Sequence, residues 1–328
     1  MTTSFDRTSL PALIQGGMGV AISSWRLARA VARRGHLGVV SGTAIDRVVA
    51  NRLQEGDIGG NLRRAFSAFP NRELANRVFA RWFRPDGLPA PGVYRPVPMF
   101  TDRPPLPLLE LAVVAAFSEV WLAREGAKGP VGINLLEKIQ APTLPILYGA
   151  MLAGASFVLM GAGIPRDVPG QLDALSRHQP TALRLRVEDG EDQTVPFDPA
   201  AFDCDSVALT RPKFLAIVSS HVLAMSLARA GGVEGFVVEG AVAGGAWRGP
   251  RGARRGAVAG GALGSLLALF LVARSRDLLF QPRLDVVFDH NTFAVAIASV
   301  FLCGIVSGVI PALHLSGSEV GDRLKEGA

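Results

Sequence analysis

Six times between residues 10 and 245, a short and nearly unbroken apolar segment runs into a glycine-rich or polar turn and then into a stretch with helical periodicity. The apolar segments are residues 10–14, 37–40, 131–135, 156–160, 213–219 and 235–239. Strands that are apolar throughout are buried on both faces, the condition of a parallel sheet covered by helices. Right-handed crossovers then leave two architectures, a doubly wound sheet or a (β/α)8 barrel, and periodicity alone does not separate them. Ser23 and Ser24 can cap a helix running to Arg34, and further helices are expected over 44–53, 108–124, 143–152, 168–177 and 222–229. Residues 55–105 read as an insertion, helical around 62–83 and then rich in proline.

The residues just past the strands favour the barrel. Gln15-Gly16-Gly17-Met18, Ser41-Gly42, Asn134, Gly161-Ala162-Gly163, Ser219-Ser220, Glu239 and Gly244-Gly245 all stand at or just beyond strand C-termini. In a barrel these positions share one rim, where barrel enzymes build their sites. Glycine there lets backbone amides approach a flat ligand closely. The run Gly16-Gly17-Met18-Gly19 is not a dinucleotide fingerprint, because the helix-opening third glycine is missing.

The chain changes character near residue 247. Residues 248–255 form a basic, breaker-rich linker, and residues 256–273 then carry no charge. As a helix those eighteen residues span roughly 27 Å, close to the hydrocarbon thickness of a bilayer. A polar connector, 274–291, leads to a second uncharged run, 293–313. The first run is rich in small residues, among them Gly256, Gly260, Gly261 and Gly264, which allow close helix approach in a membrane. The arginines before it and Arg323 and Lys325 after the second run favour a hairpin with both ends cytoplasmic. With 49% hydrophobic and 19% charged residues, disorder is excluded as the main state, and two cysteines exclude a disulfide scaffold. The net charge of +6 is mostly arginine, the only lysines being Lys128, Lys138, Lys213 and Lys325. The arginines are scattered without interleaved aromatics, so no nucleic-acid partner is expected. The polar start, with Asp6 and Arg7, is not that of a secretory signal.

The stretches Pro11-Ala-Leu-Ile-Gln-Gly-Gly-Met-Gly19, Gly129-Pro-Val-Gly-Ile-Asn134, Val158-Leu-Met-Gly-Ala-Gly163 and Gly235-Phe-Val-Val-Glu-Gly-Ala-Val-Ala-Gly-Gly245 occur in that order. Together they resemble the nitronate monooxygenase family, formerly called 2-nitropropane dioxygenases, over about residues 10–245. The resemblance implies a barrel that binds flavin mononucleotide (FMN) and oxidises alkyl nitronates with dioxygen. A branch of flavin enoyl reductases shares the Gln-Gly-Gly-Met opening. By resemblance, Gln15, Gly16, Gly17 and Met18 lie beside the flavin ring, Asn134 bonds it, and Glu239, Gly244 and Gly245 line the same site.

Two departures stand out. The family's catalytic histidine position holds Ala246, and a methyl group cannot act as a general base. No strand–helix pair that could supply strands seven and eight, the usual phosphate site, comes after Trp247. Residues 256–328 instead resemble one helical hairpin of ABC-transporter permeases of the macrolide-exporter type, without any Walker motif. The expected organisation is an incomplete TIM barrel over 1–247, the linker 248–255 and a membrane hairpin over 256–328. The protein would be membrane-associated with its N-terminal domain cytoplasmic, or cytoplasmic outright if the two runs are buried helices of a soluble fold.

The remaining chemistry-bearing residues are sparse. His36, His178, His221, His290 and His314 share no metal spacing. His221 comes after the fifth apolar segment and can reach the rim. The acidic run Glu188, Asp189, Glu191 and Asp192 reads as a solvated loop, and Cys204 and Cys303 cannot pair if one is in a membrane span.

Overall fold

The computed structural model of the 328-residue chain describes Pro11, residues 13–185 and residues 192–239. Gly244, Gly245, Ala246, the linker 248–255 and the runs 256–273 and 293–313 lie outside the described residues. The chain divides into two units at Val238, and the described helices and strands all belong to the first.

Chain order alternates strand and helix. Helix α1 (Trp25–Ala32) precedes β1 (Gly38–Ser41) and α2 (Ile45–Gln54). The insertion supplies α3 (Asn61–Ala68) and α4 (Arg72–Trp82), and α5 (Leu106–Arg124) comes next. Then come β2 (Val131–Leu136), α6 (Thr143–Leu152), β3 (Phe157–Gly161) and α7 (Val168–Leu175). A hairpin of β4 (Thr181–Leu185) and β5 (Gln193–Phe197) intervenes before β6 (Lys213–Val218), α8 (His221–Ala230) and β7 (Gly235–Val238). The main sheet has the order β1-β2-β3-β6-β7, every pair parallel. A parallel bridge from Ile14 to Leu37 adds Ile14 beside the residue that precedes β1. Each strand reached by a crossover helix therefore lies next to the one before it.

Several local expectations needed correction. Of the expected strand 10–14, the described residues show the Ile14 bridge, closed by the Gln15 N–H to Leu37 O and the Leu37 N–H to Leu13 O bonds, and residues 10 and 12 lie outside the described residues. The helix around 62–83 is two helices. Phe69 is extended because Pro70 comes after it, and Asn71 then caps α4 by accepting from the Leu74 N–H at 3.0 Å. The β4–β5 hairpin was not expected at all. Its core side is tied down by Tyr148, whose ring packs edge-on against Phe197 and His178 and tilted on Phe202. Asp192 lies just before β5, whereas Glu188, Asp189 and Glu191 fall outside the described residues.

Helix α5 organises the helical layer. It is apolar all round, and a helix of that kind is stable only when surrounded. It packs against α1, α2, α3, α4 and α6. By length and composition it is the one helix among the described residues that could cross a membrane, but most of it is buried inside this core. Gly149 of α6 permits a close contact with α5, since a Cβ there would stand 2.1 Å from the Val113 carbonyl oxygen.

Two carboxylates interrupt the apolar surface of α5, and both are paired. Glu110 accepts from Arg77 at 2.7 Å. Glu119, fully enclosed, is bridged by Arg52 of α2 and accepts from the Trp25 N–H at 3.0 Å. Ser24 stands at the N-cap of α1 but makes no side-chain cap bond. Glu119 takes over that task from another helix, placing negative charge at the positive end of α1. Burial drives the Glu119 carboxyl above the usual carboxylate range, with Arg52 and the Trp25 N–H opposing it.

In the unfolded chain Glu119 titrates at its ordinary value, and in the folded chain above it. Its contribution to stability is therefore fully present below the ordinary value and is lost as pH rises through the folded one. Glu119→Gln, which keeps an acceptor for Trp25, should flatten that fall in urea midpoints measured across pH. Glu119→Ala should cost about 3–5 kcal/mol, because it breaks a buried pair. Wild-type and Gln profiles that run parallel would contradict the assignment.

Candidate functional site

Because all strands of the main sheet are parallel, their C-terminal ends lie on one edge. The Gln15–Met18 turn, Ser41, Gly161, Ser219 and Glu239 stand at or beyond those ends, whereas Asn134, expected just past its strand, lies inside β2, which runs on to Leu136. Register fixes the centre: Asn134 pairs with Ser41 on one side and with Leu159 on the other, and Leu136 pairs with Gly161.

The turn is held by a polar knot. Gln15 Oε1 accepts the Val39 N–H at 3.0 Å, and its Nε2 donates to Ser23 Oγ at 3.2 Å and to the Gly16 carbonyl. Ser23 Oγ in turn donates to the Gly16 carbonyl at 2.9 Å and accepts the Met18 N–H at 3.1 Å. Gln15 thus braces the turn against β1. Ser23, expected only as a helix cap, is the turn's second brace. Its role has no signature in the sequence, because the bond spans from Ser23 back to residues outside any helix.

Gly17 is buried against β1 and β2, where a Cβ would stand 2.4 Å from Val39 Cγ1 and 2.8 Å from Asn134 Cβ. Only glycine lets the backbone lie so close to the strand ends. Gly16 is exposed, and a Cβ there would meet nothing nearer than Met18 Cγ at 4.0 Å. The Met18 side chain is half exposed and accepts from Asn134 Nδ2 at 3.0 Å. Asn134 itself is 3% exposed, and its Oδ1 is a buried acceptor with no partner. Unpaired buried acceptors cost free energy and call for a physical explanation.

The same edge continues past β3. The Glu137 N–H bonds the Gly161 carbonyl at 2.9 Å, and Gln140 Nε2 donates to Glu137 Oε1 at 3.1 Å. Ala162 adopts a φ of 58°, the left-handed region that a residue with a Cβ rarely enters. Glu137 was not singled out in the sequence, where it reads as an ordinary residue after a strand. Glu239 is exposed just after β7, and His221, exposed, opens α8. The turn, Asn134 and the β3 end are thereby brought together, whereas His221 belongs to the β6 side of the edge.

Other reactive residues are accounted for structurally. His178 Nε2 donates to the Val207 carbonyl at 2.8 Å, leaving Nδ1 to accept the Tyr148 hydroxyl at 2.9 Å. Cys204 is buried, and burial pushes its thiol up to about 11, so it holds its proton at neutral pH and is a poor nucleophile. Among the described residues no three His, Cys, Asp or Glu side chains converge as a metal site. No known family model matches the chain, and no curated protein matches it.

Adding one methyl group distinguishes the two glycines. Gly17→Ala should destabilise the protein by about 1–3 kcal/mol through overpacking against Val39 and Asn134. Gly16→Ala should stay within about 0.5 kcal/mol of wild type, as an open surface substitution does. Urea unfolding of the two variants measures the difference, and equal effects would refute the close approach.

Proposed function

We propose that the chain is an FMN-dependent barrel protein of the nitronate monooxygenase kind, with six of eight strand–helix units, joined to a two-helix membrane hairpin. The observation that carries this reading is the unpartnered Asn134 Oδ1, buried in β2 opposite the end of β1 and beside a glycine turn. An acceptor left open among close-packed backbone suits the N–H edge of a flavin ring. Strand order supports the barrel. From Ile14 through β7, parallel neighbours run in chain order, whereas a doubly wound sheet reverses at a switch point.

FMN, when bound, supplies the electron transfer that couples oxidation of an alkyl nitronate to dioxygen. The chain's own residues hold and orient. Gly16, Gly17 and Met18 would lie beside the flavin ring, with exposed backbone at Gly16, and Asn134 would bond it through Oδ1. Gln15 and Ser23 keep the turn in place for that contact. Glu239, Gly244 and Gly245 complete the site by resemblance.

Ala246 sets the substrate. No imidazole is there to take the proton alpha to a nitro group, so the substrate is the preformed anionic nitronate and not the neutral nitroalkane. The same alanine favours a second reading, an inert barrel module carried by a permease-derived hairpin. Purified full-length chain should show flavin absorbance and consume dioxygen with nitronate alone. Ala246→His should raise turnover of the neutral nitroalkane about a hundredfold to ten-thousandfold, with little change on nitronate. Absence of flavin at saturating FMN, or equal gains on both substrates, would overturn this in favour of the inert module.

The runs 256–273 and 293–313 are proposed as membrane spans with the barrel on the cytoplasmic side. Full-length chain should then resist carbonate washing of membranes, and deletion of residues 249–328 should move the product to the soluble or aggregated fraction. Release of the full-length chain by carbonate would contradict the spans.

A further inference from the structure

A concave feature lies away from the glycine turn, along α8. It is an open depression of about 490 Å³ lined by Arg166, His221, Val222, Met225, Ser226 and Arg229. No acidic side chain lines it. Arg166, in the segment between β3 and α7, donates from Nη2 to Ser226 Oγ at 2.8 Å, which holds its guanidinium against α8. Ser226 and Arg229 are three apart on one helix and therefore neighbours on its surface. Arg229 thus stands one turn along α8 from the serine that holds Arg166. Among the described residues, neither Arg166 nor Arg229 has a carboxylate within salt-bridge distance, whereas Arg29, Arg52, Arg64, Arg77 and Arg211 each do. The same face of α8 also carries Val222 and Met225, three apart and 65% and 51% exposed.

We infer that this depression binds a phosphate monoester, its two guanidiniums taking the dianionic phosphate and Val222 and Met225 taking the apolar ester group. Two guanidiniums lining one depression without a carboxylate partner match a dianion with several acceptor oxygens better than a planar monocarboxylate. Large exposed apolar side chains beside such a pair supply the contact that a free inorganic phosphate would leave unused. The site does not depend on the flavin reading, because none of its residues lies at the glycine turn or at Asn134.

The phosphate could belong to a soluble ester or to the headgroup of phosphatidic acid, and the test separates these sources. Full-length protein in nonionic detergent is titrated calorimetrically with phenyl phosphate, inorganic phosphate and benzoate. Mixed micelles carrying short-chain phosphatidic acid then compete with phenyl phosphate. Phenyl phosphate should bind more tightly than either control, and Arg166→Gln and Arg229→Gln should each weaken it about tenfold or more. Val222→Ser should narrow the gap between phenyl and inorganic phosphate without abolishing binding. Displacement of phenyl phosphate by phosphatidic acid micelles, and not by plain micelles, identifies the lipid headgroup as an occupant. Lack of displacement identifies a soluble ester. Unchanged thermal midpoints in the variants show that folding is not what was lost. Equal binding of phenyl phosphate and benzoate, or wild-type affinity in the Arg166→Gln/Arg229→Gln double variant, would overturn the assignment.

Discussion

The helical layer depends on one buried contact, the Glu119 carboxylate held between Arg52 and the Trp25 backbone. A charge inside an apolar helix is costly, and contacts from two other helices at once offset part of that cost. That arrangement ties α5 to α2 and to the first turn of α1. It fixes where α1 begins, and so where the preceding Gln15–Met18 turn leaves the sheet. Trp25 is itself 3% exposed, with the guanidiniums of Arg26 and Arg29 each 4.4 Å from its ring centroid. A local fault at Glu119 would therefore reach the candidate site through the start of α1.

The second constraint is the parallel sheet. Since each neighbouring strand runs the same way, all turns at strand C-termini collect on one edge without any further instruction. Glycine then decides how close those turns come. Gly17 presses onto Val39 and Asn134, and a Cβ at Gly161 would stand 2.9 Å from Ile217 Cβ, so the strand ends are drawn tightly together. A single polar atom is left open there, Asn134 Oδ1, beside exposed backbone at Gly16 and a half-exposed thioether at Met18.

The strands were legible because continuous apolar segments such as Val131–Leu136 and Lys213–Val218 have few other places to go. Helix α6 was equally plain, being apolar throughout and bounded by Pro142 and Gly154. The hairpin β4–β5 was not, because Arg184, Thr194 and Pro196 interrupt the apolar residues of its strands, and the ring that stabilises it is Tyr148 from a distant helix. The break between α3 and α4 could have been read from Phe69-Pro70-Asn71, a pre-proline residue and then a good cap. At the site, the glycines and Asn134 were visible as residue types after strands. The roles of Ser23, which braces the turn, and of Glu119, which caps α1 from ninety-four positions away, arise only when the chain is folded.

If the glycine turn and Asn134 form one ligand-facing surface, amide hydrogen exchange tests it most directly. Full-length protein is compared with and without saturating FMN. Slower exchange is expected in two separate stretches only, residues 15–19 and 131–137, with α3, α4 and the β4–β5 hairpin unchanged. Protection elsewhere with none at these two stretches, or no change anywhere, would contradict a shared FMN-facing surface.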